Sequence, residues 1–143
     1  EDIGGVAHTH SVYATAWAQA RREIDPLGTT HADAFHGPVP VTRLLTDEEV
    51  DGDYEANTGK AIVERFAEIE PGEIPAVLVA DHGPFTWGAS PKAAADTAVA
   101  LEYVARLASE TIRVEPYPLM MSRRLLDKHF FRKHGRDAYY GQS

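Results

Sequence analysis

Gly4-Gly5-Val6-Ala7-His8-Thr9-His10 is the stretch around which the rest of the chain has to be read. His8 and His10 are two residues apart, and in a strand positions i and i+2 point to the same face. Ile3, Val6 and Ala7 beside them suit a buried strand. Two imidazoles on one face can chelate one metal ion. Zinc takes such nitrogens, and a catalytic zinc keeps three protein ligands and one open position. A His-x-His pair also arises by chance, the more so in a chain with 7 histidines. The pair therefore needs a third ligand, and working groups beside it.

Composition narrows what those groups can be. A chain of 143 residues, 43% hydrophobic and 25% charged, is one domain's worth with a real core. A net charge of -8 argues against a nucleic-acid partner. The one basic cluster, Arg123 to Arg136, is interleaved with Leu, Phe and Asp and reads as an amphipathic helix face. With no cysteine, thiol chemistry and disulfides are excluded, and any metal must be held by His and carboxylate. No apolar run approaches the roughly 20 residues that span a bilayer, and no signal-peptide pattern is visible. The expectation is a cytoplasmic enzyme or binding protein with no membrane partner. The chain opens Glu1-Asp2-Ile3 without Met and enters an apparent core strand at once, so further N-terminal sequence is expected.

Outward from His10, Ser11 is placed to cap a helix through Ala20, with Arg21 and Arg22 as cations at its C-terminus. Val39 to Leu45 reads as a short strand. Thr46 followed by Glu49 is a capping-box pattern. Ala61, Ile62, Phe66 and Ile69 predict a helix over 58–69, closed by Pro71-Gly72. Ala76 to Ala80 is a continuous apolar run, read as a buried strand. Ser90 at N-cap and Pro91 at N1 start the longest helix, which runs to Ile112. Ser122 opens a last helix that Gly135 ends. Strands and helices alternate, so the class is α/β or α+β, with helices covering a sheet. No internal repeat or domain linker interrupts 1–143.

His82 is the best third ligand. It ends the apolar strand, and the following Gly83-Pro84 reads as a turn that leaves the imidazole at the sheet rim. The competing role is a histidine that bonds a nearby carbonyl. Asp33, in Thr30-His31-Ala32-Asp33, serves either as a general acid/base beside the metal or as an Asx-turn or helix-cap residue. His31 and His36 lie close enough to be ligands too, although His36 before Gly-Pro reads better as a turn residue. Tyr139 and Tyr140 are an unusual aromatic pair for a terminal tail. They suit core packing, docking on another surface, or a phenol that donates a proton.

His8-Thr9-His10-Ser11, the run Gly28 to Asp33, His82-Gly-Pro-Phe-Thr-Trp-Gly88, and the run Leu125 to Gly135 with Ala138-Tyr-Tyr-Gly-Gln142 together resemble the L-ribulose-5-phosphate 4-epimerase family. That family belongs to the class II aldolase/epimerase superfamily, and the resemblance runs nearly end to end. It implies a three-layer α/β fold, a central and mainly antiparallel sheet flanked by helices. It implies that His8, His10 and His82 hold a divalent metal, Zn2+ or another such as Mn2+ or Co2+. It implies that Asp33 and Tyr140 are the acid/base pair, with His129 nearby. It implies a homotetramer in which the C-terminal Tyr and His enter a neighbouring subunit's site. The implied reaction is epimerisation of L-ribulose 5-phosphate and D-xylulose 5-phosphate, by retro-aldol cleavage and re-addition at C3–C4. The family's phosphate-binding groups lie upstream of the His-x-His strand and have no counterpart in these residues. The expected unit is thus a single class II aldolase/epimerase domain lacking its N-terminal portion, catalytically weak or inactive by itself. Two alternatives stand beside it: a related sugar-phosphate aldolase of the fuculose or rhamnulose type, and a non-catalytic metal-binding or oligomerisation module.

Overall fold

A computed structural model describes residues 3–135 and 138–139. Three strands, β1 (Gly5–His8), β2 (Ala76–Val79) and β3 (Gly83–Gly88), form one sheet in the order β1-β3-β2, antiparallel throughout. Six helices surround it: α1 (Val12–Gln19), α2 (Thr29–Ala32), α3 (Asp47–Asp51), α4 (Tyr54–Arg65), α5 (Pro91–Val114) and α6 (Arg123–His134). The architecture is α/β, an antiparallel sheet flanked by helices.

Strand parity decides which residues face which layer. Ala7, Thr86, Ala76 and Leu78 are in register and share one face. Against that face α1 and α5 deliver Ala14, Trp17, Ala18, Leu101, Val104, Ala105 and Ala108, which form the core with Ile24, Phe35 and Val39. The opposite face carries His8, Phe85, Val77 and Trp87. Over the β2 end of this face the chain leaving α4 sets Phe66 edge-on to Trp87, with ring centroids 5.0 Å apart. Among the described residues, nothing covers the β1 end, where Val6 is exposed.

That open end corrects one expectation. Ile3 and Val6 are 53% and 63% exposed rather than buried. Among the described residues β1 has one neighbouring strand, and Val6 points to the same face as His8.

The long helix follows its sequence signals. The Ser90 hydroxyl accepts from the Ala93 N–H, Pro91 occupies the first turn, and the helix runs 24 residues. Thr46 and Glu49 make the reciprocal capping box. Four expectations shift. α4 begins at Tyr54 because the Asp53 carboxylate caps it, accepting from the Ala56 N–H at 3.3 Å. Residues 39–45 are not a strand. Pro38 and Pro40 carry no N–H, and only single bridges form, Ile24 with Val39 and Val41 with Leu78. Ser11 does not cap α1 through its side chain. Instead the Glu102 carboxylate, from α5, accepts from the Tyr13 and Ala14 N–H groups at 2.9 Å each. Arg21 leaves α1 with φ 55°, and its side chain turns back to the turn between β2 and β3.

The sequence reading also missed β3, taking Gly83-Pro84 as a turn. Proline is tolerated there because its backbone faces the end of the β1 ladder, where its carbonyl accepts from the Thr9 N–H. Glycine is required there by close approach. A Cβ on Gly83 would lie 2.9 Å from the Thr9 carbonyl and about 3.5 Å from the His8 ring (3.5 Å to Cε1).

Two predictions follow from this packing. Gly83→Ala forces the β1–β3 junction apart and is expected to destabilise the chain by about 1–3 kcal/mol, read as a lowered denaturation midpoint. The second concerns His31, which is 4% exposed and donates from Nε2 to the Gly37 carbonyl at 2.7 Å. Burial pushes its pKa down to about 4 from the ordinary histidine value of 6.5. The unfolded chain then takes up a proton that the folded chain refuses. Stability present above pH 6.5 is lost as pH falls towards 4, by about 3 kcal/mol from this residue. Urea denaturation across that range, with His31→Gln for comparison, should show the slope in the parent and a flatter one in the variant.

Candidate metal centre

The sheet and its turns bring the three histidines to one point. His8 ends β1, His10 lies two residues past the strand's end, and His82 sits in the turn between β2 and β3. One ligand atom from each lies within 4.8 Å of the other two. The rings meet edge to face, with centroids 4.9 Å apart for His8–His10, 4.7 Å for His8–His82 and 5.1 Å for His10–His82.

His8 is held on two sides. Its ring stacks on Phe85, its cross-strand partner, at 4.2 Å and 16°. Its Nδ1 is 3.0 Å from the Pro84 carbonyl, which can only accept, so Nδ1 carries the proton and the Nε2 lone pair faces inward. That Nε2 lies 3.1 Å from Nε2 of His10. Two nitrogens on one tetrahedral zinc would stand roughly 3.3 Å apart. The donor set and its spacing therefore fit a divalent cation that accepts imidazole.

His82 is positioned from behind and from the side. Asp81 precedes it with φ 62°, a conformation most non-glycine residues avoid. Arg21 grips the Asp81 carboxylate with two hydrogen bonds, at 2.8 and 2.9 Å, and the Asp81 N–H donates to the Ala18 carbonyl. From α4, the Tyr54 hydroxyl lies 3.2 Å from His82 Nδ1. Burial, and then the neighbouring His8 and His10 rings, holds His82 below its ordinary pKa. A neutral imidazole keeps the lone pair that a metal needs.

Asp33 belongs to a different cluster. It is the C-cap of α2, so the cap role expected for it is real. Its carboxylate accepts from His129 Nδ1 at 3.0 Å and Arg132 Nη2 at 3.1 Å, and pairs with Lys133 at 3.3 Å. His134 Nε2 donates to its carbonyl. Burial alone would raise the Asp33 carboxyl. The hydrogen bonds from His129, Lys133 and Arg132 outweigh it and hold the group below the usual carboxylate range. The structure thus joins Asp33 to His129, within one chain, and does not join either of them to the histidine triad. Tyr140 lies outside the described residues. Tyr139 is exposed, its N–H donating to the Arg132 carbonyl.

His31 and His36 are not part of the triad. His36 is buried, with Nδ1 against Glu73 at 2.8 Å, Nε2 against Asp127 at 2.7 Å and its ring stacked on Phe130. Sequence reasoning missed Tyr54, Phe85, Arg21 and Asp81 as supports of the site. Only Phe85 carried a signal, since it follows His82 by three residues in the stretch singled out. The other contacts join residues 28 and 60 positions apart.

Comparison with known proteins agrees with the fold. Over 140 residues, 98% of this chain, it is 52% identical to proteins named L-ribulose-5-phosphate 4-epimerase UlaF from Salmonella paratyphi B and Salmonella typhi. The chain spans 61% of the length of those relatives. Among solved structures, an L-fuculose 1-phosphate aldolase superposes with a TM-score of 0.67 at 23% identity, over 90% of this chain and 55% of that one. YgbL from Klebsiella pneumoniae, described as a putative aldolase/epimerase/decarboxylase, gives 0.56 at 24% identity, over 86% and 55%. Residues 1–109 match the family described as Class II Aldolase and Adducin N-terminal domain, and the chain belongs to that family.

Proposed function

We propose that this chain carries the metal centre of an L-ribulose-5-phosphate 4-epimerase, with His8, His10 and His82 as the ligands. The observation that carries the reading is the convergence of three imidazoles within 4.8 Å, in a chain 52% identical to relatives of that name. Zinc suits three neutral imidazoles, and Mn2+ or Co2+ suits them as well.

The chemistry asked of the site follows from the substrate. C4 of a pentulose phosphate carries no acidic proton, so its inversion proceeds by breaking and remaking the C3–C4 bond. When bound, a divalent cation supplies Lewis-acid stabilisation of the charge left on the ketone side. The chain's own residues then handle protons and position. His8 and His82 each turn one ring nitrogen to the site, because the Pro84 carbonyl and the Tyr54 phenol engage the other. Asp33, ionised well below neutral pH, can take a proton, and His129 holds its carboxylate. Tyr140 is assigned the partner role on the other face of the substrate. A homotetramer that shares sites between subunits belongs to the same proposal.

The test uses the 143-residue chain. One zinc per chain is expected, lost in His8→Ala, His10→Ala and His82→Ala. Slow conversion of L-ribulose 5-phosphate to D-xylulose 5-phosphate is expected, abolished by a chelator and lowered about 10²–10⁴-fold by Asp33→Asn. Accumulation of free glycolaldehyde phosphate, the C4–C5 fragment, would identify an aldolase instead. Zinc binding unaffected by all three alanines would overturn the metal assignment.

A further inference from the structure

His8 and His82 solve the same problem in different ways. Each must offer one ring nitrogen to the cluster and lodge the other. At His8 the lodging group is a backbone carbonyl, which accepts and never donates. At His82 it is a phenol, 3.2 Å from Nδ1, which can do either. If the phenol donates, Nδ1 is the lone pair and Nε2 carries the proton, so Nε2 cannot be a ligand. If the phenol accepts, Nδ1 carries the proton and Nε2 is free to bind.

The backbone that carries the phenol is held in place. Tyr54 is the first residue of α4, and Asp53 caps that turn. The Thr58 hydroxyl donates to the Tyr54 carbonyl at 2.9 Å, and Asn57 donates to the Glu49 carbonyl at 3.0 Å, which ties the turn to α3. The His82 backbone is fixed independently by Asp81 and Arg21. With both backbones fixed, the His82 imidazole meets the phenol through Nδ1 and turns its other nitrogen, Nε2, away from it.

We propose that Tyr54 is a positioning residue for His82: its phenol oxygen accepts the Nδ1 proton and thereby commits Nε2 to the cluster of His8 and His10. The inference rests on the metal-centre reading above. Orienting partners of this kind are worth about 10–100-fold in metal affinity.

The experiment measures zinc affinity by competition with a chromophoric chelator, on the whole 143-residue chain. The parent, Tyr54→Phe, His82→Ala and Tyr117→Phe are compared, Tyr117 being 88% exposed in the segment after α5. Tyr54→Phe is expected to weaken zinc binding about 10–100-fold, with the zinc-free melting temperature unchanged. Tyr117→Phe should match the parent. Equal affinity in Tyr54→Phe and the parent, within twofold, would overturn the inference while leaving the metal centre standing. So would a loss of affinity that appears only together with a lowered zinc-free melting temperature, since that marks a structural role. A parent that binds no zinc, or a His82→Ala chain that binds as tightly as the parent, would remove the metal centre and this inference together.

Discussion

The register between β1 and β3 is the constraint on which the site depends. His8 pairs with Phe85 and Ala7 with Thr86. A slip of one residue would turn every side chain of β1 to the other face. His8 would then point into the helical layer, and its ring would lose both Phe85 and the direction to His82. A short edge strand holds register poorly by its own ladder, so the fixing comes from close contacts at its ends. A Cβ on Gly5 would lie 2.5 Å from the Pro91 backbone nitrogen, at the start of α5. Gly83 leaves the same kind of space for Thr9 at the other end. Neither contact survives a shift along the strand.

The third histidine depends on α1, a helix of 8 residues that is too short to be stable alone. It is held at both ends by groups distant in sequence. Glu102 places a carboxylate on its N-terminal N–H groups, where the helix dipole also favours negative charge. Past its C-terminus, Arg21 grips Asp81, and both residues have positive φ. Each such conformation costs about 1–2 kcal/mol. The ion pair is half exposed and offsets only part of that. The remainder is met by the core, through Ala14, Trp17 and Ala18. Burial on one face of α1 thus holds the strained turn that presents His82 on the other side of the sheet.

Much of this was legible in the sequence, for identifiable reasons. The His-x-His pair, the apolar run 76–80, the Ser90-Pro91 start and the Thr46–Glu49 box are local patterns, and local patterns need only neighbours to act. The strand β3 was hidden because Gly83 and Pro84 argue for a turn when their partners are unknown; Thr9 and Leu78 make them a strand. The exposure of Val6 was hidden because a sequence does not say which strand is the edge. Tyr54 and Glu102 were hidden because their value lies wholly in long-range contact. The meeting of Asp33 with His129 within one chain, 96 positions apart, was not foreseen, since the family likeness implies that the C-terminal His enters a neighbouring subunit's site. The structure adds that their meeting is part of how α6 is attached.

That attachment bears on how charge is arranged in the molecule. His82 sits where burial, and then the nearby His8 and His10, favour the neutral ring. Asp33 sits where His129, Arg132 and Lys133 favour an anion. The two centres are therefore specialised in opposite directions, one to keep lone pairs and the other to keep negative charge. They are held by different mixes of contacts. The triad is fixed by backbone geometry, a stacked phenylalanine, a phenol and the Arg21–Asp81 pair behind His82. The Asp33 cluster is fixed by ionic contacts from α6, joined by His36 between Glu73 and Asp127 and by Phe130 beneath it. Salt screens the half-exposed Arg21–Asp81 pair more than the partly buried contacts of Asp33. Helix α6 is held as well by its buried Leu126 and Phe130, so its seating does not rest on charge alone.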